Sequence, residues 1–462
     1  MLFSSITFLY YFLPIVLILY VVAPKQWKNF VLFLASLVFY AWGEPKYVFL
    51  MLLSVLIGYV SGVLMEKLPK KPIMIVSVLL CLFFLIYFKY TNFFIHNINM
   101  LLKTELKALN VVMPIGISFY TFQIISYILD VYYERVKTQK NFLYLATYIS
   151  MFPQLIAGPI VRYSDINEQL GDRSFTSEKI ADGIKRFVIG LSKKVLLANQ
   201  LGELCEIFKM SSEKTVAFYW LYALAAALHI YFDFSGYSDM AIGLGKLLGF
   251  SFPENFNYPY ISKSITEFWR RWHISLGTWF RDYVYIPLGG NRRGIKRQLC
   301  NILIVWFLTG FWHGAQWNFI LWGLYFAGLL MIEKLFLYKK LEKSRVLGHI
   351  YTLFLVAISF VIFNAGSIGE IGIYLKNMFF MGGSAKTGAE FWYYLKSYGM
   401  ILLIGIVGAT NLPGKLYKKL RQIRVADICL VVLEPLVLAG LLLLCTAYLV
   451  DGSFNPFLYF RF

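Results

Sequence analysis

Runs of Leu, Ile, Phe and Val, each about 15–20 residues long and without alternation, recur from one end of this 462-residue chain to the other. Runs of that length match helices crossing a hydrocarbon core roughly 30 Å thick and exceed the short tilted strands of a membrane barrel. In lipid the backbone must satisfy its own polar groups, so only helices or a closed barrel can span it. Composition agrees: 59% of the residues are hydrophobic and only 15% charged, against about a quarter charged in soluble domains. A water-soluble globule of this size would lack polar cover. The expectation is an all-α, polytopic transmembrane bundle, a single membrane domain over 1–462 with about 11–13 membrane segments, some re-entrant or interfacial. Candidate spans are 6–23, 29–43, 47–65, 73–88, 111–131, 184–202, 215–232, 234–250, 300–312, 317–337, 348–365, 398–412 and 429–450.

Charge gives the orientation. The net charge is +19, from 44 Lys+Arg against 25 Asp+Glu. The cations cluster between apolar runs, as in cytoplasmic loops beside anionic lipid, and no nucleic-acid partner is implied. Lys25/Lys28, Lys67/Lys70/Lys71 and Arg135/Lys137/Lys140 follow the first, third and fifth spans, which places the N-terminus outside. The opening run has no Lys or Arg before Lys25 and no small-residue cleavage site, so it reads as a retained span. The five cysteines are scattered without CxxC or zinc spacing and suggest neither a disulfide frame nor a metal site.

Two regions depart from the simple pattern. Residues 142–166 are apolar but broken by Pro153, Gly158 and Pro159, as a re-entrant segment or a kinked span would be. Residues 254–298 hold eight basic residues between Lys263 and Arg297, while Ile265, Phe268, Trp269, Trp272, Leu276, Trp279 and Phe280 recur at helical spacing. This predicts an amphipathic helix on the cytoplasmic side, with His273 beside its aromatic stripe.

Forty residues on, His313 follows the apolar run 300–312 and is flanked by Trp312, Gly314 and Trp317. A titratable side chain at membrane depth is costly and by default marks a pathway or an active site. The plainer alternative is an interfacial histidine bonded to a helix end. Two imidazoles in a partly dry cavity can divide acid–base work, because their ordinary pKa of about 6.5 lies near working pH. Arg270 and Arg271 suit a phosphorylated donor such as coenzyme A, or an acidic carrier protein.

The segments FWRRWHISLGTWFRDYVYIPLGGNRRG and FWHGAQWNFILWGLYF resemble the paired histidine motifs of the membrane-bound O-acyltransferase (MBOAT) superfamily. The likeness is closer still to its alginate O-acetyltransferase (AlgI-like) branch. MLFSSITFLYYFLP, MPIGISFYTFQIISYILDVY, FPQLIAGPIVRY, YFDFSGYSDMAIGLGKLLGF and the closing NPFLYFRF agree with that branch, so the resemblance runs over nearly the whole chain. It implies a ring of tilted helices around a thinned centre, where an inner tunnel and an outer funnel meet near the histidine. His313 would be the catalytic residue and His273 the second signature residue. Trp312, Asn318, Asp233, Ser235, Asp239, Arg270 and Arg271 would line the substrate site, with no resident cofactor or metal.

The branch takes an acetyl group from a cytoplasmic donor, acetyl-CoA, and passes it across the bacterial cytoplasmic membrane. An extracytoplasmic SGNH-hydrolase-like partner then delivers it to a polysaccharide. In YFDFSGYSDMAIG the polar residues form either a short turn between two spans or a polar wall of the chamber. Ser235 is not a hydrolase nucleophile, because DFSGYS lacks the G-x-S-x-G elbow. His96 and His349 read as surface residues and His229 as a packing residue. Two rivals stand beside this reading: D-alanyl transfer to teichoic acid, and a polysaccharide or lipid transporter without chemistry.

Overall fold

The computed structural model describes residues 1–452, so the NPFLYFRF ending lies outside the described residues. Every regular element among them is a helix, and seven helices are long and apolar enough to cross a membrane. The chain divides into two compact units, residues 1–187 with 238–254, and residues 188–237 with 255 onward.

The first unit contains α1 (Leu13–Val22), α2 (Lys28–Ala41), α3 (Val48–Met65), α4 (Lys70–Leu102), α5 (Ile117–Tyr132), α6 (Phe142–Ser150), α7 (Phe152–Leu155), α8 (Tyr163–Gly171) and most of α9 (Ser177–Ser192). Its core is aromatic: Phe12 meets Phe152 edge-on at 5.4 Å, and Phe39 packs 5.6 Å from each of them. Helix α4 runs 33 residues, well past the apolar run 73–88, and carries His96 on an exposed helical face, at the surface as expected. Hydropathy marks where lipid is tolerated, whereas backbone hydrogen bonding carries a helix on into polar sequence. Residues 142–166 break into α6, α7 and an extended stretch before α8. Pro153 sits in the first turn of α7, where a missing N–H costs nothing. The amide of Phe152 donates to Ser36 Oγ at 3.1 Å.

The second unit takes up the chain at the end of α9. It holds a π turn (Lys193–Ala198), α10 (Asn199–Met210) and the larger part of α11 (Val216–Leu247). The two spans expected at 215–232 and 234–250 are one continuous helix of 32 residues, and DFSGYSD makes no turn. The most apolar stretch of α11 is 83% buried. A helix sheathed by protein need not present a lipid-compatible surface, so polar residues can sit at its middle.

Beyond it come α12 (Ile265–Arg271), α13 (Ile274–Phe280), α14 (Gly294–His313), α15 (Trp317–Ile332), α16 (Tyr338–Lys343), α17 (Arg345–Asn364), α18 (Ile368–Met378), α19 (Ala389–Gly408), α20 (Leu412–Leu420) and α21 (Arg424–Val450). The segment 254–298 is not the single amphipathic helix expected. It forms the short helices α12 and α13, a π turn (Arg281–Tyr285) and a run of turns before α14. Ser264 Oγ accepts the Glu267 amide at 3.0 Å, and the Glu333 carboxylate accepts the amides of Ile265 at 2.5 Å and Thr266 at 2.9 Å. These bonds satisfy donors that a helix start otherwise leaves orphaned. The apolar stripe is real, but Ile265, Phe268, Trp272, Leu276, Trp279 and Phe280 are buried in protein rather than laid on lipid.

Helices α14 and α15 pack backbone to backbone. A Cβ on Gly310 would lie 3.1 Å from Gly323 Cα and collide with the Phe319 carbonyl, and one on Gly323 would collide with the Trp306 carbonyl. Glycine is required at this crossing because only its missing side chain permits the approach.

Candidate active site

His313 is the last residue of α14 and sits among rings. The centroids of Trp312 and Trp322 lie 5.0 Å from its imidazole, and that of Phe363 lies at 5.4 Å. Asn318, in the first turn of α15, donates from Nδ2 to the Phe363 carbonyl at 3.0 Å and ties α17 to this box. Its buried Oδ1 has no hydrogen-bond partner among the described residues. A buried acceptor left open in this way calls for an explanation, and a ligand hydroxyl would supply one.

His273 stands at the bend between α12 and α13, with φ +44°. A ring-bearing residue in the left-handed region is uncommon, and such strain clusters at functional sites. The Phe234 ring meets the imidazole edge-on at 4.6 Å, and Asn255 Oδ1 lies 3.1 Å from Nδ1. Trp312 neighbours both histidines, 6.2 Å from His273 and 5.0 Å from His313. Burial pushes the His273 pKa well below its ordinary value, and the charge of a protonated His313 pushes the same way. His273 is therefore a neutral imidazole at pH 7.

A cleft of about 550 Å³ opens beside His273, lined by Trp269, Arg270, Arg281, Trp306 and Thr309 among others. A second pocket of about 480 Å³ is lined by Lys263, Ser264, Glu267, Arg270, Arg271 and Tyr338. Arg270 belongs to both. Trp269 and Trp306 pack on Trp322 at 5.5 and 6.2 Å, and Trp322 packs on His313, so the second imidazole stands one indole behind the cleft wall.

The structure brings together His313, His273, Trp312 and Asn318, with Arg270 at the cleft. Arg271 lines the cationic pocket and pairs with Glu267 at 2.9 Å. Asp233 is fully buried in an ion pair with Lys194, one residue from the Phe234 that abuts His273. Ser235 is buried on the same helix. Asp239 lies in the first unit, where Arg186 binds it at 2.8 Å and also pairs with Glu254.

The sequence reading missed Asn255, Trp322, Phe363 and Lys194. Only Lys194 carried a signal, as a cation inside the apolar run 184–202. Its placement has a local cause. The π turn brings Lys194 against α11 at Gly236, where an added Cβ would lie 2.8 Å from the Gly190 carbonyl and 3.1 Å from the Lys194 amide.

A profile of MBOAT, the membrane-bound O-acyltransferase family, matches residues 132–368, the stretch that holds both histidines. The chain belongs to this family. Within the AlgI-like branch, it is 40% identical to "Probable alginate O-acetylase AlgI" of Azotobacter vinelandii, over 88% of its own length and 85% of the relative's. It is 32% identical to the peptidoglycan O-acetyltransferase of Helicobacter pylori, over 85% and 83% of the two chains. The teichoic acid D-alanyltransferase of Bacillus subtilis is also 32% identical, over 55% of this chain and 69% of its own. As an MBOAT protein the chain is a multi-pass membrane O-acyltransferase.

Proposed function

We propose that this MBOAT enzyme takes an acetyl group from a cytoplasmic donor and moves it across a bacterial cytoplasmic membrane for O-acetylation of a cell-surface or secreted polysaccharide. The observation that carries the reading is Trp312 ringed by two imidazoles, one of them lining a cleft that shares Arg270 with a cationic pocket. Acetyl-CoA fits this pair of pockets by its chemistry. Its phosphates match Lys263, Arg270 and Arg271, and its thin thioester arm matches the apolar cleft. In the transfer, His313 accepts the proton of the attacking hydroxyl while the new C–O bond forms. The C–S bond breaks, and the thiolate leaving group takes up a proton. An SGNH-hydrolase-like partner outside the membrane would carry the acetyl group on to the polymer.

Two of the relatives are named for acetylation, of alginate and of peptidoglycan, and both match over more than four-fifths of this chain. D-alanyl transfer is the second reading, and the shorter match to the teichoic acid enzyme ranks it lower. The test is mass analysis of surface polymer from cells carrying wild-type, His313→Ala or His273→Ala protein at equal levels. Loss of acetate in both variants, with polymer export intact, is the expected result. Polymer that stays in the cell fully acetylated would favour a transporter.

A further inference from the structure

Asn255 has no part in the chemistry described above, yet its side chain decides what His273 can do. It is wholly buried, and its Oδ1 faces three groups: Ser275 Oγ at 2.9 Å, His273 Nδ1 at 3.1 Å and the Ser275 backbone amide at 3.3 Å. The backbone closes the same bracket, because the Ile274 amide donates to the Asn255 carbonyl at 2.9 Å. A backbone N–H can only donate, so the amide atom it meets must be the oxygen of Asn255 and not the nitrogen. An amide oxygen can only accept, so a hydrogen bond from His273 to it requires a proton on Nδ1; Ser275 Oγ lies 3.5 Å from the same nitrogen, but its one proton goes to the shorter contact with Asn255. In a neutral imidazole the other nitrogen is then an acceptor.

We infer that Asn255 is the positioning residue that holds His273 as its Nδ1–H tautomer and so makes Nε2 its proton-accepting nitrogen. The inference rests on the acyltransfer reading for its consequence. The left-handed backbone at His273 fits it, since the bend turns the imidazole back toward Asn255. His273 thereby accepts protons or hydrogen bonds through Nε2 and does not donate through it.

The charged groups around His273 are His313 at the end of α14, Arg270 on α12, Arg281 on the π turn, and Asp233 with Lys194 beside Phe234. The test uses full-length protein in cells with its polymer, scoring acetate per chain, and purified protein with acetyl-CoA across a pH series. Asn255→Ala should lower kcat about a hundredfold with KM unchanged, and Ser275→Ala should lower it far less. Asn255→Asp keeps an acceptor for Nδ1–H but favours the imidazolium, so it should retain transfer at neutral pH and move the acid limb of the rate profile upward. Wild-type kcat in Asn255→Ala, or an unshifted profile in Asn255→Asp, would overturn the inference. If Asn255→Ala fails to fold, the Asn255→Asp profile decides alone. Failure of the wild-type protein to acetylate polymer would instead overturn the functional reading, and this inference with it.

Discussion

At the end of α14, His313 is walled by Trp312, Trp322 and Phe363, while His273 sits at a bend whose hydrogen bonds run to Asn255. Rings pack around the first imidazole, at the end of a helix that meets α15 closely at Gly310 and Gly323. Directional bonds hold the second, and its orientation comes from a strained backbone. Packing fixes a position without choosing a tautomer, whereas a hydrogen bond to an amide oxygen chooses one. The division suits a site in which one histidine is held by shape and the other presents one chosen nitrogen.

The largest break in this comparison is His313→Ala, which should lower acetyl transfer by about a thousandfold, with His273→Ala costing about tenfold less. Acetate per polymer chain at matched protein levels measures both. Equal losses would mean that the two imidazoles act as one unit. Next is the ion pair behind the bend. Lys194→Met strands the buried Asp233 carboxylate and should cost about 3–5 kcal/mol, read as a fall in the thermal midpoint in detergent. Lys194→Met with Asp233→Leu should recover most of that stability. Gly323→Ala then probes the box around His313. Its methyl group meets the Trp306 carbonyl, so about 1–3 kcal/mol of stability should be lost along with transfer.

The smallest effect is a pH dependence. The pKa of His273 is depressed in the folded state, so its contribution to stability is complete above an unfolded value of about 6.5. That contribution declines as pH falls through 6.5 toward the folded value, because only the unfolded chain binds the proton freely. Thermal midpoints measured from pH 7.5 to 5 should fall less steeply in His273→Gln than in wild type.

Much of this was legible in the sequence. The spans 47–65, 317–337 and 348–365 correspond to helical segments within a few residues, because lipid-length apolar runs leave the backbone no other choice. His313 drew notice because a titratable group after an apolar run is expensive, and His273 because it stands beside an aromatic stripe. The failures share a cause. DFSGYSD was split from its helix, and 254–298 was laid on a membrane surface, because apolar periodicity cannot tell burial against lipid from burial against protein. Asp239 pairs with Arg186, 53 residues away in sequence, a partner that the motif does not announce. Asn255 gave no signal, since its role depends on one backbone amide that only the folded bend brings to it.

The burial of α11 sets opposite rules of variation for two helices of this chain. In its most apolar stretch 83% of the residues are buried, whereas in that of α21 only 6% are. A substitution in α11 is judged by volume and by the partner it leaves behind, so equal-sized polar replacements should be accepted where larger apolar ones are refused. Along α21 the judge is the bilayer: bulk is free and polarity is penalised, so its sequence can drift among Leu, Ile, Val and Phe while that of α11 stays fixed in shape.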